Sequence, residues 1–274
     1  MSWTALLLAG QRPGSDPLAA HFGERWKAKV RVDGVAMLSR VARTLLDAPS
    51  IGRVIVLAQE PEALLDGDCA WMAADPRIAT ASSSDGIATS VAAIAGTPRA
   101  PWPVLVTTAD HPLLTIAMVE AMIAGMAGSD VGVGVVGART LLAAYPDNRR
   151  TWLRFRGEAW SGANLFALTG DRARRALAAW SEVESDRKKA LKLLWHFGAP
   201  LALRALTRTI TLEAAMAKAG RRLGVATKPI ALPFAEAGID VDKPSDHRLA
   251  EQILRARRNA PRLSGPESHG QYRS

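Results

Sequence analysis

Three short stretches of the chain combine residue types and spacings that suit chemistry on an anionic ligand. The first is Leu6-Leu7-Leu8-Ala9-Gly10-Gln11-Arg12-Pro13-Gly14. A buried apolar run that ends in Ala-Gly and opens into a loop with glycines and an arginine can wrap backbone N–H groups around a phosphate. The second is Val104–Leu114, where Asp110 follows an apolar run and precedes His111 and Pro112. A carboxylate at the end of a buried strand can hold a divalent cation that neutralises phosphate oxygens. The same aspartate would equally serve as a helix N-cap ahead of Leu113. The third is Gly238–His247, with Asp240 and Asp242 at i and i+2. On an extended segment the two carboxylates point the same way and repel unless a cation lies between them. Lys243 or Asp242 ahead of Pro244 is also ordinary helix-start chemistry, and both roles are compatible.

The elements that must position these residues follow from hydrophobic periodicity. Apolar runs predict strands at Trp3–Ala9, Ile51–Ala58, Ile78–Thr80, Val104–Thr108 and Val131–Val136. Helical spacing predicts helices over Val35–Leu46, Thr89–Ala95 and Ile116–Met126, with a turn at Ser82–Gly86. Strands that alternate with helices in this way predict a mostly parallel sheet with helices on both faces, and ligands bind such sheets at the carboxyl ends of the strands. The second half is less regular. Thr151–Arg156 and Ala163–Leu168 read as antiparallel strands about a turn at Gly157. Arg172–Trp180, Asp186–His196 and Leu212–Arg222 read as helices, Val225–Leu232 as a strand, and Ser245–Arg257 as a charged helix that starts at Pro244. From Asn259 the chain is polar and rich in Pro, Gly and Ser, which predicts disorder over 259–274.

Composition narrows the class. The chain has 274 residues, 48% hydrophobic and 22% charged, which suits one large α/β domain over 1–258 with a basic helical insertion at about 171–223. A single cysteine, Cys69, excludes an internal disulfide and leads us to expect a cytoplasmic protein. Met1–Gly10 lacks a basic start and is too short for a signal peptide or a membrane span. The five histidines show no metal-ligand spacing, so no zinc site is expected. The net charge of +9 is uneven: residues 1–148 carry 11 basic and 14 acidic side chains, and residues 149–274 carry 24 and 12. The basic half would face something anionic, be it a phosphorylated substrate, a membrane or nucleic acid, or would simply be solvated.

In order and spacing the three stretches resemble the MobA-like nucleotidyltransferase superfamily, over roughly residues 3–257. The resemblance implies a single Rossmann-like domain of the GT-A type, with a mixed, mostly parallel sheet. It implies Mg²⁺-dependent transfer of a nucleoside monophosphate from an NTP, CTP or GTP foremost, to a small phosphorylated acceptor with release of pyrophosphate. Leu8, Ala9, Gly10, Gln11, Arg12 and Gly14 then belong to the nucleotide loop. Lys27 matches the family's loop lysine, seven residues before Gly34 in a Gly34-Val35-Ala36-Met37-Leu38 segment that looks like the family's Gly-x-Pro-Met-Leu; Lys29 is the alternative. Asp85, Gly86 and Ser90 resemble the loop that meets base and ribose. Asp110 becomes the first Mg²⁺ ligand and Asp242 the second, with Asp240 as fallback. Ser161, Gly162 and Asn164 resemble the segment lining the acceptor side. Two departures stand out: Gly10-Gln11 replaces the family's usual Gly-Gly, and Arg12-Pro13-Gly14 its Arg-Met-Gly.

Arg154 and Arg156, alternating on the expected strand just before Ser161, are expected to bind the acceptor's phosphate, or else to guard an exposed edge. Asp186–His196 sets Arg187, Lys188, Lys189 and Lys192 among Leu191, Leu193, Leu194 and Trp195. Such a stretch packs on its own domain or lies on an anionic membrane surface, so peripheral membrane association joins the expectations. Two other classes compete: a nucleotide-binding module that has lost turnover, which the Gln11 and Pro13 departures would fit, and a nucleic-acid binder. No nucleic-acid recognition motif accompanies the spread of basic residues, so a nucleic-acid partner is not expected.

Overall fold

The computed structural model describes residues 2–11, 14–84, 86–184 and 207–259. Its centre is β1 (Trp3–Leu8), an apolar run covered on both faces and paired in parallel with β4 (Ile51–Ala58) on one side and β6 (Val104–Thr108) on the other. β5 (Ile78–Ser82) extends the β4 edge, again in parallel. Beyond β6 the sheet changes character. β9 (Ala159–Leu168) runs antiparallel between β6 and β7 (Val131–Gly137), and β10 (Thr227–Ala231) is parallel to β7 at the far edge. The eight-stranded sheet thus has the order β10-β7-β9-β6-β1-β4-β5, with the two-residue β8 (Leu153–Arg154) on β9. This is the mixed, mostly parallel α/β architecture expected from the periodicity.

Helices cover both faces. On one, α2 (Met37–Asp47) places Met37, Leu38, Val41, Ala42, Leu45 and Leu46 inward at helical spacing, and α4 (Ile116–Ala124) joins the same layer. On the other, α3 (Ile87–Ile94) and α6 (Ala173–Glu184) bury Val91, Ile94, Ala173 and Leu177 against Leu6, Ile55, Val104 and Val106. α7 (Leu212–Leu223) packs beside β10 and ends at Gly224, whose φ of 69° closes the helix in the left-handed conformation. The described parts of the expected basic insertion are therefore layers of the domain itself. α8 (Pro244–Asn259) runs two residues past its expected end, and Ala250 and Ile253 reach the cluster that holds Val30, Val32 and Val241. Among the described residues no helix is long and apolar enough to cross a membrane. The basic stretch Asp186–His196 and residues 260–274 lie outside the described residues.

Several elements differ from the sequence expectation for local reasons. Val35 and Ala36 do not begin α2. They form β3 (Val35–Ala36), which pairs with β2 (Arg31–Val32) across Asp33-Gly34, both at positive φ, as a two-residue Asp-Gly hairpin demands. Between Gly14 and Lys27, α1 (Pro17–His21) forms because Asp16 accepts from the N–H groups of Leu18 and Ala19 at 2.9 and 3.0 Å and Pro17 sits in the first turn. α5 (Ala138–Ala144) was likewise not expected. The expected strand Thr151–Arg156 contracts to Leu153–Arg154, because the hairpin turn at Arg156-Gly157 removes Arg156 from it.

Leu105 lies at 0% exposure on β6, between β1 and β9. Leu105→Ala is expected to lower the unfolding free energy by about 2–5 kcal/mol, read as a reduced denaturant midpoint. Gly220 gives a prediction of opposite sign to helix propensity. Alanine would gain about 1 kcal/mol in a free helix, yet a Cβ here would stand 2.6 Å from the Val225 carbonyl oxygen. Gly220→Ala is therefore expected to lower the melting temperature.

Candidate active site

The three chemically suggestive stretches meet at the carboxyl edge of the sheet. β1 ends at Leu8, Ala9 donates its N–H to the Leu57 carbonyl at 2.8 Å, and the chain turns away at Gly10. Gly10 is small for a reason, since a Cβ there would lie 3.0 Å from Gln59 Oε1. Gln59 then clamps the next residue: its Oε1 accepts from the Gln11 N–H at 3.2 Å and its Nε2 donates to the Gln11 carbonyl at 2.9 Å. The Gln11 side chain reaches across to the Arg25 carbonyl and, through Oε1, to the Lys27 N–H at 3.1 Å. Gln11 thus ties the opening loop to the lysine turn, and its backbone N–H is already engaged. Gln59 is a site residue that sequence reasoning missed; no motif marks it. Gly14, at φ 99°, is exposed, with open space where a side chain would project. Arg12 lies outside the described residues.

Lys27 opens a short 3-10 turn, Lys27–Lys29, and projects into the site. Its Nζ donates to Asp110 Oδ2 at 2.6 Å and to Asp242 Oδ1. One ammonium thus bridges an aspartate from the end of β6 and one from the segment before α8. The backbone aligns them, since Val241 donates its N–H to the Asp110 carbonyl at 2.8 Å. Burial favours the neutral amine of Lys27, but the two carboxylates outweigh it and raise its pKa above the ordinary lysine value. The lysine is fully charged near neutral pH. Lys29, the sequence alternative, turns instead to Asp66.

Asp240 and Asp242 part company. Asp240 pairs with Arg150 and accepts from Asn164 Nδ2 at 3.2 Å. Burial pulls its pKa up, while Arg150 and Asn164 more than offset this and leave it below the usual carboxylate range. Asp240 is thus engaged by Arg150 and Asn164, and Asp242 by Lys27. Asn164 reaches Asp240 because β9 is irregular there: its pairing with β7 slips between Val133 and Val135, and Asn164 sits at φ 49°. Asparagine tolerates this left-handed conformation, and a bulge re-aims a side chain. Arg150, like Gln59, carried no signal in sequence.

Unpartnered polar atoms gather at this edge. Asp110 Oδ1, Ser83 Oγ after β5, Thr108 Oγ1 at the end of β6 and both ring nitrogens of His111 are buried without a hydrogen-bond partner of good geometry, the backbone of Glu236 being only a weak contact for the imidazole. Burial holds the His111 pKa down at about 4, so the ring is neutral. Unsatisfied buried groups in one place mark where a polar ligand, water or ion would settle. No group of three or more His, Cys, Asp or Glu side chains converges among the described residues. A bridged pair with one free oxygen on Asp110 could still hold a magnesium-sized ion, which takes one or two carboxylates and fills its shell with water and phosphate.

The other expected contacts are partly assembled. Ser90 is 3% exposed, and its hydroxyl accepts from the Ser84 N–H at 2.8 Å and reaches the Gly86 carbonyl at 2.6 Å, so it shapes the loop before α3 from within. Gly86 caps α3, and Asp85 lies outside the described residues. Ser161 is buried and Gly162 exposed on β9. Arg154 and Arg156 are exposed on the β8–β9 hairpin, and no hydrogen bond or ion pair joins their side chains to the Lys27 cluster. The shared-face argument for the two arginines fails with the shortened strand.

Solved structures share the architecture. A hypothetical transferase from Thermus thermophilus is 26% identical, with a TM-score of 0.75 over 90% of this chain and 100% of its own. A CMP:2-keto-3-deoxy-manno-octonic acid synthetase complexed with CTP is 14% identical, with a TM-score of 0.58 over 93% and 100%. The 4-diphosphocytidyl-2C-methyl-D-erythritol synthase of Anaerococcus prevotii DSM 20548 is 11% identical, with a TM-score of 0.54 over 93% and 98%. The two distant proteins share the fold alone. No curated protein sequence gives a significant match. The sequence itself matches the MobA-like NTP transferase domain across residues 5–209, strands β1 to β9 and the Lys27–Asp110 pair included, and the chain accordingly belongs to that family of nucleotidyltransferases.

Proposed function

We propose that the protein transfers a nucleoside monophosphate from CTP or GTP to a small phosphorylated acceptor, with release of pyrophosphate, and that the reaction uses Mg²⁺. The observation that carries this reading is the Lys27 ammonium held between Asp110 and Asp242, with Asp110 Oδ1 left free. Asp110 and Asp242 would hold the ion, which would neutralise charge on the triphosphate.

The chain's own residues account for the rest. Lys27, charged at neutral pH, supports the negative charge that builds on the phosphate oxygens as the α-phosphorus is attacked. The attacking acceptor oxygen belongs to a phosphate that is already anionic near neutral pH, so no strong general base is needed. Positioning and charge neutralisation dominate. The neutral, buried His111 is unsuited to proton transfer at this pH and serves as a support behind Asp110. Asn164 and the Arg150–Asp240 pair would fix the acceptor side of the cleft, Ser161 and Gly162 on the same strand as Asn164 would line it, and Arg154 and Arg156 would meet the acceptor's phosphate.

CTP is the first nucleotide to try, since one fold relative was solved with CTP and another is named a diphosphocytidyl synthase. Thermal shift with each of the four NTPs, with and without Mg²⁺, is the test. One nucleotide is expected to raise the melting temperature only with Mg²⁺, and Asp110→Asn is expected to abolish that rise. In a pyrophosphate-release assay with the stabilising nucleotide and a panel of phosphorylated alcohols and sugars, Lys27→Ala is expected to lower kcat by about 10²–10³-fold. Stabilisation without pyrophosphate release from any acceptor would favour a binding module instead.

A further inference from the structure

The helix that follows the loop expected to meet base and ribose has no cap of its own. α3 begins after Gly86, which offers no side chain, and no local group accepts from its first amides. The Glu184 carboxylate, 97 residues away at the end of α6, fills that place. Its Oε1 accepts from the Ile87 N–H and its Oε2 from the Ala88 N–H, both at 2.8 Å. Ser181, one turn earlier on α6, shares a 2.9 Å hydrogen bond with Thr89. Gly86 accommodates the arrangement: a Cβ there would lie 2.6 Å from Glu184 Oε2. Such a carboxylate on two free amides is charge-assisted and complements the positive end of the helix dipole.

We propose that Glu184 is a positioning residue for nucleotide binding: by capping α3 from outside, it fixes Gly86 and, through Ser90, Ser84 at the carboxyl edge of the sheet. Ser90 stitches Ser84 to Gly86 from within; Ser83 is tied to β4 by its N–H to the Ala58 carbonyl at 2.8 Å, and the other end is anchored through the start of α3. Freed of Glu184, the first turn of α3 would fray, and the loop would lose its fixed approach to the ligand. Nucleotide affinity, then, depends on α6, an element that offers no residue to the Lys27–Asp110–Asp242 cluster. The proposal rests on the reading that this loop meets the nucleotide.

The experiment compares wild type, Glu184→Ala and Glu184→Gln, which keeps one acceptor for the first amides of α3. Two quantities are read: the Kd of MgCTP and MgGTP by calorimetry, and amide hydrogen exchange in the peptide spanning Ser84–Ile94. Glu184→Ala is expected to weaken binding by roughly 5–30-fold, the factor a capping interaction of this kind is worth, with faster exchange at the start of α3. Glu184→Gln is expected to retain part of both. A variant in which affinity moves without protection, or protection without affinity, overturns the proposal. So does unchanged affinity in Glu184→Ala. If wild type binds no nucleotide, it is the functional reading that falls. Glu184→Gln stands in should the alanine variant not fold.

Discussion

One ammonium between two carboxylates is the contact on which the cleft depends. Lys27 Nζ lies between Asp110 and Asp242, which belong to segments brought together only by the finished sheet. The partners are not equivalent. Asp110 is about four-fifths buried, so its pairing with Lys27 is weakly screened; Asp242 is mostly exposed, and its share is correspondingly softened by water. The cluster therefore has a firm side, toward β6, and a yielding side, toward α8. A cation entering the cleft would compete with the ammonium on the yielding side first. Asp110 would meanwhile offer its unpartnered Oδ1 without giving up the lysine.

The sheet sets that contact by its order. Parallel β4, β1 and β6 deliver Gln59, the Gly10 turn and Asp110 to a single edge, and Gln11 fastens the lysine turn to it. The antiparallel β9 has another task. Because it runs the other way, it leaves the cleft region rather than ending there, and a bulge brings Asn164 to Asp240 within its length. The nucleotide side of the edge is thus built from loops that follow parallel strands, and the opposite side from a strand that passes through. That division matches what the two sides must hold on the proposed reading, a deeply wrapped triphosphate and a more variable acceptor.

Much of this was legible in the sequence, and the failures have physical causes. β1, β4, β6 and β7 are buried on both faces, so their continuous apolar runs could be read directly. Lys27, Asp110 and Asp242 could be named because their local patterns survive as short motifs. The different surroundings of Asp240 and Asp242 could not be read, because Arg150 and Asn164 are remote in sequence from Asp240 and Asn164 reaches it through a bulge that period-2 reasoning does not foresee. Gln59, Gln11 and Glu184 were invisible or misread in kind, since their work is hydrogen bonding to backbone, which leaves no pattern of residue types. The shared face expected of Arg154 and Arg156 is absent because a two-residue strand cannot sustain the alternation that longer strands obey.

The separation of the bridged residues along the chain bears on how the protein is made. Lys27 and Asp110 are 83 positions apart, but Lys27 and Asp242 are 215 apart. Synthesis delivers the amino terminus first, and β1, β4, β5 and β6 can pair before the segment at Asp242 exists. A nascent chain, or one clipped ahead of Asp242, would thus hold its lysine on a single carboxylate and leave Val30, Val32 and Leu113 without the cover of Ala250 and Ile253. That exposed apolar patch is the kind of surface chaperones and proteases recognise. Completion of the reactive cluster and burial of the patch arrive together with the last helix, so a cell's quality control would discriminate finished from unfinished copies on the same event that makes them competent.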